Sequence, residues 1–412
     1  MKGKGQLAYR VAGLLLAAAW MGAAAGCAEE QRAPFIQIPE ADKIAISGQL
    51  KTKLKRIPLH LKWDTYVLGG QLVRNVFMEE DLLFIETASR QVWAMDRNKG
   101  VIRWAYTVGY PLQFPPTVSE DLVYFISRDV VHAVFRNGGD VKWKKTLPFV
   151  QGAPPAANRD FLFVAAGDTR RFYAFKEKTQ VPETTASGEY HGALEAIPDW
   201  FFNTDDYIRA APVEVTRGTT SIVYLCSLDH KAYALNGYTG KATWSYKTGQ
   251  QIIAAPYVRG DHIFIPGQDH TLHCLDRYGG PPPKWLFPTG GPMERTPAGD
   301  DEFVYARAEN VLDEYGLPED PYLYAIEIES GKERWRFRRG VRMLISGEDK
   351  VYILREGRVL VILEKRSGKF LAEYPLPDFQ FVLTNDKDDV LYLITDRGFL
   401  FALQESDPKP FK

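Results

Sequence analysis

The sequence predicts an all-β fold made of one small sheet repeated around a ring: a single eight-bladed β-propeller. Three observations predict it: a recurring eleven-residue frame, a spacing of about forty residues between its copies, and a last unit completed by the start of the chain. The frame is clearest at Ala234-Leu-Asn-Gly-Tyr-Thr-Gly-Lys-Ala-Thr-Trp244, read as a strand ending in Ala234, a tight turn closing at Gly240 and a strand carrying Trp244. It recurs at Ala94/Gly100/Trp104, Ala133/Gly139/Trp143 and Ala325/Gly331/Trp335. Cys274/Gly280/Trp285 is one residue longer, and Ile362/Gly368 has Ala372 in the tryptophan slot. Units at such a period do not bury their faces alone and must stack.

The units follow in order from Ile57, each with four short β-rich runs between turn residues. Blade one is expected at 72–108, blade two at 114–147, and blade three from 154 with Arg171-Phe-Tyr-Ala-Phe175 as third strand. The fourth strand of blade three is interrupted: 176–198 reads as an insertion, leaving Trp200 or Phe201 as a displaced anchor. Blades four to seven are expected at 210–248, 254–288, 296–338 and 343–374, with a polar insertion, 308–320, inside blade six. The eighth unit offers three strands, 379–383, 390–395 and 398–403, and then the chain runs out. Ile57-Pro-Leu-His-Leu-Lys-Trp63 supplies the missing one, so the first strand closes the ring and covers an open edge. Seven blades is the alternative if blade three is not a true unit.

An acid opens the second strand in seven units, at Asp81, Asp121, Asp160, Asp261, Asp301, Asp349 and Asp389, with Ser221 in blade four. Asp suits a turn because its side chain bonds the local backbone, so these residues are expected to form turns and not to act as catalytic acids. The anchors Trp63, Trp104, Trp143, Trp244, Trp285 and Trp335 are expected to pack between blades, the small frame residue letting sheets approach.

The chain divides as 1–27 leader, 28–56 flexible tether, 57–403 propeller and 404–412 tail. Lys2, Lys4 and Arg10 precede an apolar run, 11–25, too short for a typical membrane span. Ala24-Ala25-Gly26-Cys27 resembles a bacterial lipobox, which implies cleavage and lipidation at Cys27. Ala stands where such boxes usually carry Leu, so a plain secretory leader is the alternative. Lipidation implies a membrane anchor, and Ala28 in place of Asp implies, by the same resemblance, an outer-membrane address. The tether has no sustained period; Lys51, Lys53, Lys55 and Arg56 make a basic clump before the first strand. A formal net charge of −1 gives no bulk attraction for nucleic acid. No zinc-type cysteine spacing, phosphate loop or basic arm is present, so nucleic acid is not an expected partner.

The Ala-x5-Gly-x3-Trp frame resembles the repeat of the pyrroloquinoline-quinone-type (quinoprotein-like) β-propellers across 57–403. Within that group, a lipoprotein holding one eight-bladed ring resembles the BamB-type component of the outer-membrane β-barrel assembly machinery. That resemblance implies a non-enzymatic scaffold at the outer membrane, facing the periplasm, with protein partners of the envelope, among them a β-barrel assembly protein. The alternative is a quinone-dependent alcohol or sugar oxidoreductase, and a second is a ligand-sensing propeller. Quinoprotein dehydrogenases imply a calcium held by Glu, Asn and Asp near a catalytic Asp, and many carry a vicinal cysteine pair. This chain has no such pair: Cys226 and Cys274 occupy small or apolar slots of the repeat and read as buried thiols. No catalytic, cofactor or metal residues are assigned.

One column remains, just upstream of each first strand: Gln113, Gln151, Arg209, Ile253, Glu294, Arg342 and Gln380, with Arg295 beside Glu294. In a propeller it rings one mouth of the central channel. Its plain reading is a wet polar funnel; its functional reading is a partner or ligand surface, where Arg209, Arg295 and Arg342 would grip a carboxylate. Strand order sets the 308–320 loop on that face and the 176–198 insertion on the opposite one.

Overall fold

The computed structural model describes residues 39–67, 71–180, 196–312, 315–384 and 388–405. Cys27, the leader and most of the blade-three insertion lie outside them. The strands form eight four-stranded antiparallel sheets. Seven follow chain order, at 73–107, 117–146, 156–203, 213–247, 257–288, 298–338 and 340–375. In the eighth, His60–Tyr66 lies outside Phe399–Gln404, followed inward by Val390–Ile394 and Phe381–Leu383. The closing pair runs from His60 opposite Gln404 to Tyr66 opposite Phe399. First strands of neighbouring blades touch one another, so they line the axis.

Inner strands such as Leu82–Thr87 and Leu122–Ser127 are buried throughout. Both faces of each sheet meet another sheet, which is why these strands read as continuous apolar runs instead of alternating ones. The core is therefore a set of seams. Leu82 and Phe84 of blade one share one cluster with Trp104, Val123 and Phe125 at the border with blade two, and the other seams repeat the pattern.

The frame explains the seam. Its small residue pairs across to the tryptophan of the outer strand: Ala94 to Trp104, Ala133 to Trp143, Ala234 to Trp244, Cys274 to Trp285, Ala325 to Trp335 and Ala402 to Trp63. Each indole that meets a frame turn lies over that turn's glycine in the next blade. A Cβ on Gly100, Gly139, Gly240, Gly280, Gly331 or Gly368 would stand 2.4–2.8 Å from the preceding blade's indole, and each glycine has φ between +68° and +76°. Only glycine meets both demands. Indole Nε1 then donates to a carbonyl of that turn, from Trp63 to Arg97, Trp104 to Arg136, Trp244 to Arg277, Trp285 to Ile328 and Trp335 to Lys365.

Blade three is a true unit, and its anchor is Trp200: it pairs with Ala174 and lies against Gly240. Blade three itself lacks the turn, since Arg171–Lys176 runs into the helical turn Glu177–Gln180. Trp143 of blade two, which would have met that turn, is fully buried with its Nε1 unpartnered.

The structure corrects the sequence on three further points. Residues expected to be a flexible tether form a helix, α1 (Glu40–Leu54), with Leu50 and Leu54 buried. It joins Ile57, Leu59, Leu376 and Phe379 in the cluster between blades seven and eight, against which Ala372 packs. The helix thus adds apolar volume at the one seam whose tryptophan slot holds alanine. Lys51 pairs with Asp64 and Lys53 with Asp378, both at 2.8 Å, fixing it to the ring. Second, the link from blade six to seven is one residue, Arg339 at φ +60°, so blade seven begins at Gly340. Third, the acids opening the second strands act through their carbonyls. Asp81, Asp121, Asp160, Asp261 and Asp349 each accept a backbone N–H from the third-to-fourth connection. The side chains that cap these turns sit one or two positions earlier, at Ser119, Asn158, Asp300 and Asp388. The Asp81 carboxylate instead bonds Arg103 of its own blade and Arg136 of the next, which hold it below the usual carboxylate range against burial, which would raise it.

Candidate functional site at the channel mouth

Inter-blade connections and second-to-third turns share one face, the mouth. The residues of the column differ in exposure and in partners. Gln113 is exposed. Gln151 is buried and turns its amide to the Ala153 carbonyl at 2.9 Å. Arg209 is exposed, its guanidinium 5.5 Å from the Tyr207 ring centre. Gln380 accepts from Arg358 and lines a cleft of about 370 Å3 between α1 and the turns of blades seven and eight.

Blades six and seven do bring residues together. Arg307, buried on the second strand of blade six, binds Glu309 at 3.0 Å and Glu356 of blade seven at 2.7 Å. Arg295 shares Glu309 at 2.9 Å, and Arg339 shares Glu356 at 3.2 Å. Arg342 stands beside this network on Gly340–Ser346, a first strand whose pairing slips on both sides of it. Such bulges re-aim side chains. Its guanidinium donates to the Val382 carbonyl of blade eight. Burial, and then the neighbouring Arg295, hold it below the ordinary arginine range. Glu294 is exposed. Arg307, Glu309 and Glu356 were missed by the sequence reading, which followed one alignment column; alternating charge on both sides of Ala308 was the available signal.

The network sits at the root of the 308–320 loop. Glu309 N–H bonds the Pro292 carbonyl, and Ala308 and Val311 are buried in the seam between blades five and six. Beyond them Leu312 bridges Pro318, and Leu312, Tyr315 and Leu317 are 58 %, 80 % and 60 % exposed. Three successive inter-blade connections, leading into blades one, two and three, also expose a large apolar side chain, at Leu72, Tyr110 and Val150.

A calcium–quinone centre needs oxygen donors free to coordinate. The carboxylates of the blade-six and blade-seven network, Glu309 and Glu356, are each bound by two guanidinium groups. Among the described residues no group of three or more His, Cys, Asp or Glu is placed to hold a metal ion. These residues do not fit that cofactor, and no step is derived through it. Cys226 and Cys274 are buried free thiols in different seams, and burial pushes Cys274 up to about 12.

The ring, the small-residue–tryptophan pairs and the turn glycines define a PQQ-like β-propeller. The family model described as outer membrane protein assembly factor BamB matches residues 127–253, 200–280 and 254–406, and the chain belongs to that family. Among solved structures it is similar to BamB from Moraxella catarrhalis, at 13 % identity and TM-score 0.62, covering 84 % of this chain and 99 % of that one. It is also similar to a quinohemoprotein alcohol dehydrogenase from Comamonas testosteroni, at 11 % identity and TM-score 0.57, covering 88 % and 78 %. A computationally designed protein, Ika8, gives 12 % identity and TM-score 0.54 over 81 % and 96 %. At these identities the likenesses show the fold alone. No curated protein matches the chain significantly. No helix among the described residues is long and apolar enough to cross a membrane.

Proposed function

We propose that this chain is a membrane-anchored, non-catalytic scaffold of the cell envelope that holds partner polypeptides on its mouth face during outer-membrane protein assembly. Membership of the BamB family supports the process. The observation that carries the choice of face is the 308–320 loop: a crest of exposed Leu312, Tyr315 and Leu317 on a root fixed by Ala308, Val311 and the Arg307–Glu309 pair. Apolar side chains on a rigid base are suited to docking, because little ordering entropy is lost when they are covered. The leader ending at Cys27 supports an acyl anchor, and Ala28 an outer-membrane location facing the periplasm.

The test places a photo-crosslinking side chain at Leu312 and, separately, at Thr220 on the opposite face, in protein anchored in its own membranes. A β-barrel assembly protein joined to position 312 and absent from 220 is the expected result. The same adducts from both positions, or none from 312, would remove the mouth face from partner binding. A quinone absorption band with dye-linked alcohol oxidation, after quinone and calcium are added, would replace the scaffold by an oxidoreductase.

A further inference from the structure

From the charge balance at the mouth, we infer that Arg342 and Arg295 form a binding site for a carboxylate group, set between blades six and seven. This goes beyond the scaffold reading, since such a site serves an acidic peptide and a small acid alike. Arg295, Arg307, Arg339 and Arg342 share two carboxylates, Glu309 and Glu356, and every carboxylate bond goes to the first three. Arg342 bonds one backbone carbonyl. A guanidinium carries five N–H donors in a planar fork that matches a carboxylate. Most of that capacity is therefore uncommitted, in a side chain that remains partly exposed.

The surroundings make the position unfavourable for a lone cation. The group is largely withdrawn from water, and the like charge of Arg295 acts on it. Like charges in a partly desolvated site repel each other, and an anion that reaches both turns that repulsion into two charge-assisted hydrogen bonds. The backbone supports the same geometry. The one-residue link at Arg339 starts blade seven early, so Arg342 lies within a strand where other blades place a loop residue, and two bulges direct it. A residue held by a strand is a firmer binding group than one on a loop.

The experiment is calorimetric titration of the full chain with glutarate, with a hexapeptide carrying two glutamates, and with its glutamine counterpart. At least one acidic probe is expected to bind, and the glutamine peptide about tenfold or more weaker, the size of one charge-assisted hydrogen bond. Arg342→Gln and Arg295→Gln should each lose a similar factor, Arg342→Lys less than Arg342→Gln, and Arg217→Gln on the opposite face nothing. Glutarate alone binding would identify a small acid, and the peptide alone a polypeptide. Binding of neither, or binding that Arg342→Gln and Arg295→Gln leave unchanged, would overturn the site. The melting midpoint of each variant separates a lost site from a lost fold. Because the crosslinks at Leu312 do not depend on Arg342, this inference and the scaffold reading fail separately.

Discussion

The contact between Trp335 and Gly368 sets up a double-mutant cycle whose outcome follows from geometry. Trp335 is buried, its Nε1 donates to the Lys365 carbonyl at 2.7 Å, and its ring centre is 5.8 Å from that of Tyr305. Gly368 has φ +69°, and a Cβ there would stand 2.6 Å from the indole Cγ. Gly368→Ala brings the left-handed backbone penalty of about 1–2 kcal/mol. It also forces the indole aside, an overpacking cost of about 1–3 kcal/mol. Trp335→Ala alone should cost about 3–5 kcal/mol, as for other buried large-to-small changes. In the double variant the indole is gone, so Gly368→Ala costs only its backbone part. The two changes should therefore fall short of additivity by about 1–3 kcal/mol, where independent sites add to within about 0.5 kcal/mol. Urea unfolding of the four proteins, followed by circular dichroism, measures this provided the denaturant slopes agree. Additivity within error would mean that the indole of one blade does not rest on the turn of the next, and the seam argument would fail.

Two other outcomes follow. His132 is buried with its Nδ1 2.7 Å from the Tyr106 hydroxyl, and burial, then Lys144, lowers its pKa to about 4 from an ordinary 6.5. The unfolded chain takes up that proton first as pH falls, so this contribution is present above 6.5, declines between 6.5 and 4 and is gone below, about 3 kcal/mol in all; joint replacement of His132 and Tyr106 by Phe should flatten the melting midpoint in that window, and an unchanged slope would reject the assignment. Leu50→Ala and Leu54→Ala in α1 should each cost about 2–3 kcal/mol by emptying the seam between blades seven and eight, whereas a segment not docked there would leave thermal unfolding unmoved.

The ring was legible because the features that build it repeat. The small-residue–tryptophan pair recurs with its glycine, and the edge left by 398–403 had one partner in reach, the strand carrying Trp63. Trp200 was harder to place because the insertion destroys the spacing on which the frame depends, although the cross-strand partner Ala174 is unchanged. The helix was missed because its apolar row is narrow: Ile46, Leu50 and Leu54, with Ser47, Gly48 and Thr52 between them. Pro39 before it, Glu40 and Asp42 in its first turn and Lys51 and Lys53 in its last were the available signals, each suited to the helix dipole. The ion network escaped for another reason. Arg307 and Glu356 are 49 residues apart and belong to different blades, and no local pattern pairs them. Column alignment assumes that every blade joins the next in the same way, and the single-residue link at Arg339 breaks that assumption where the network forms.

That break bears on function. The seams are built alike around the ring, so they account for the fold and cannot separate a scaffold from an enzyme. What distinguishes blades six and seven is the shortened link, the loop inserted within blade six and the guanidinium groups gathered at the mouth beside them. An insertion elsewhere on a propeller would hang on a turn; here Arg307 clamps its base to blade seven through Glu356, and Glu309 ties it to the link from blade five through Arg295. The apolar crest and the cationic mouth thus share one support. A polypeptide with an apolar segment followed by an acidic one would meet both, and the order of its two segments would set the direction in which it lies across the ring. Crosslinks from Leu312 and from the exposed Glu294 beside Arg295 to a captured chain should then fall on opposite sides of its acidic segment's boundary, and crosslinks scattered without order would show that the two surfaces act separately.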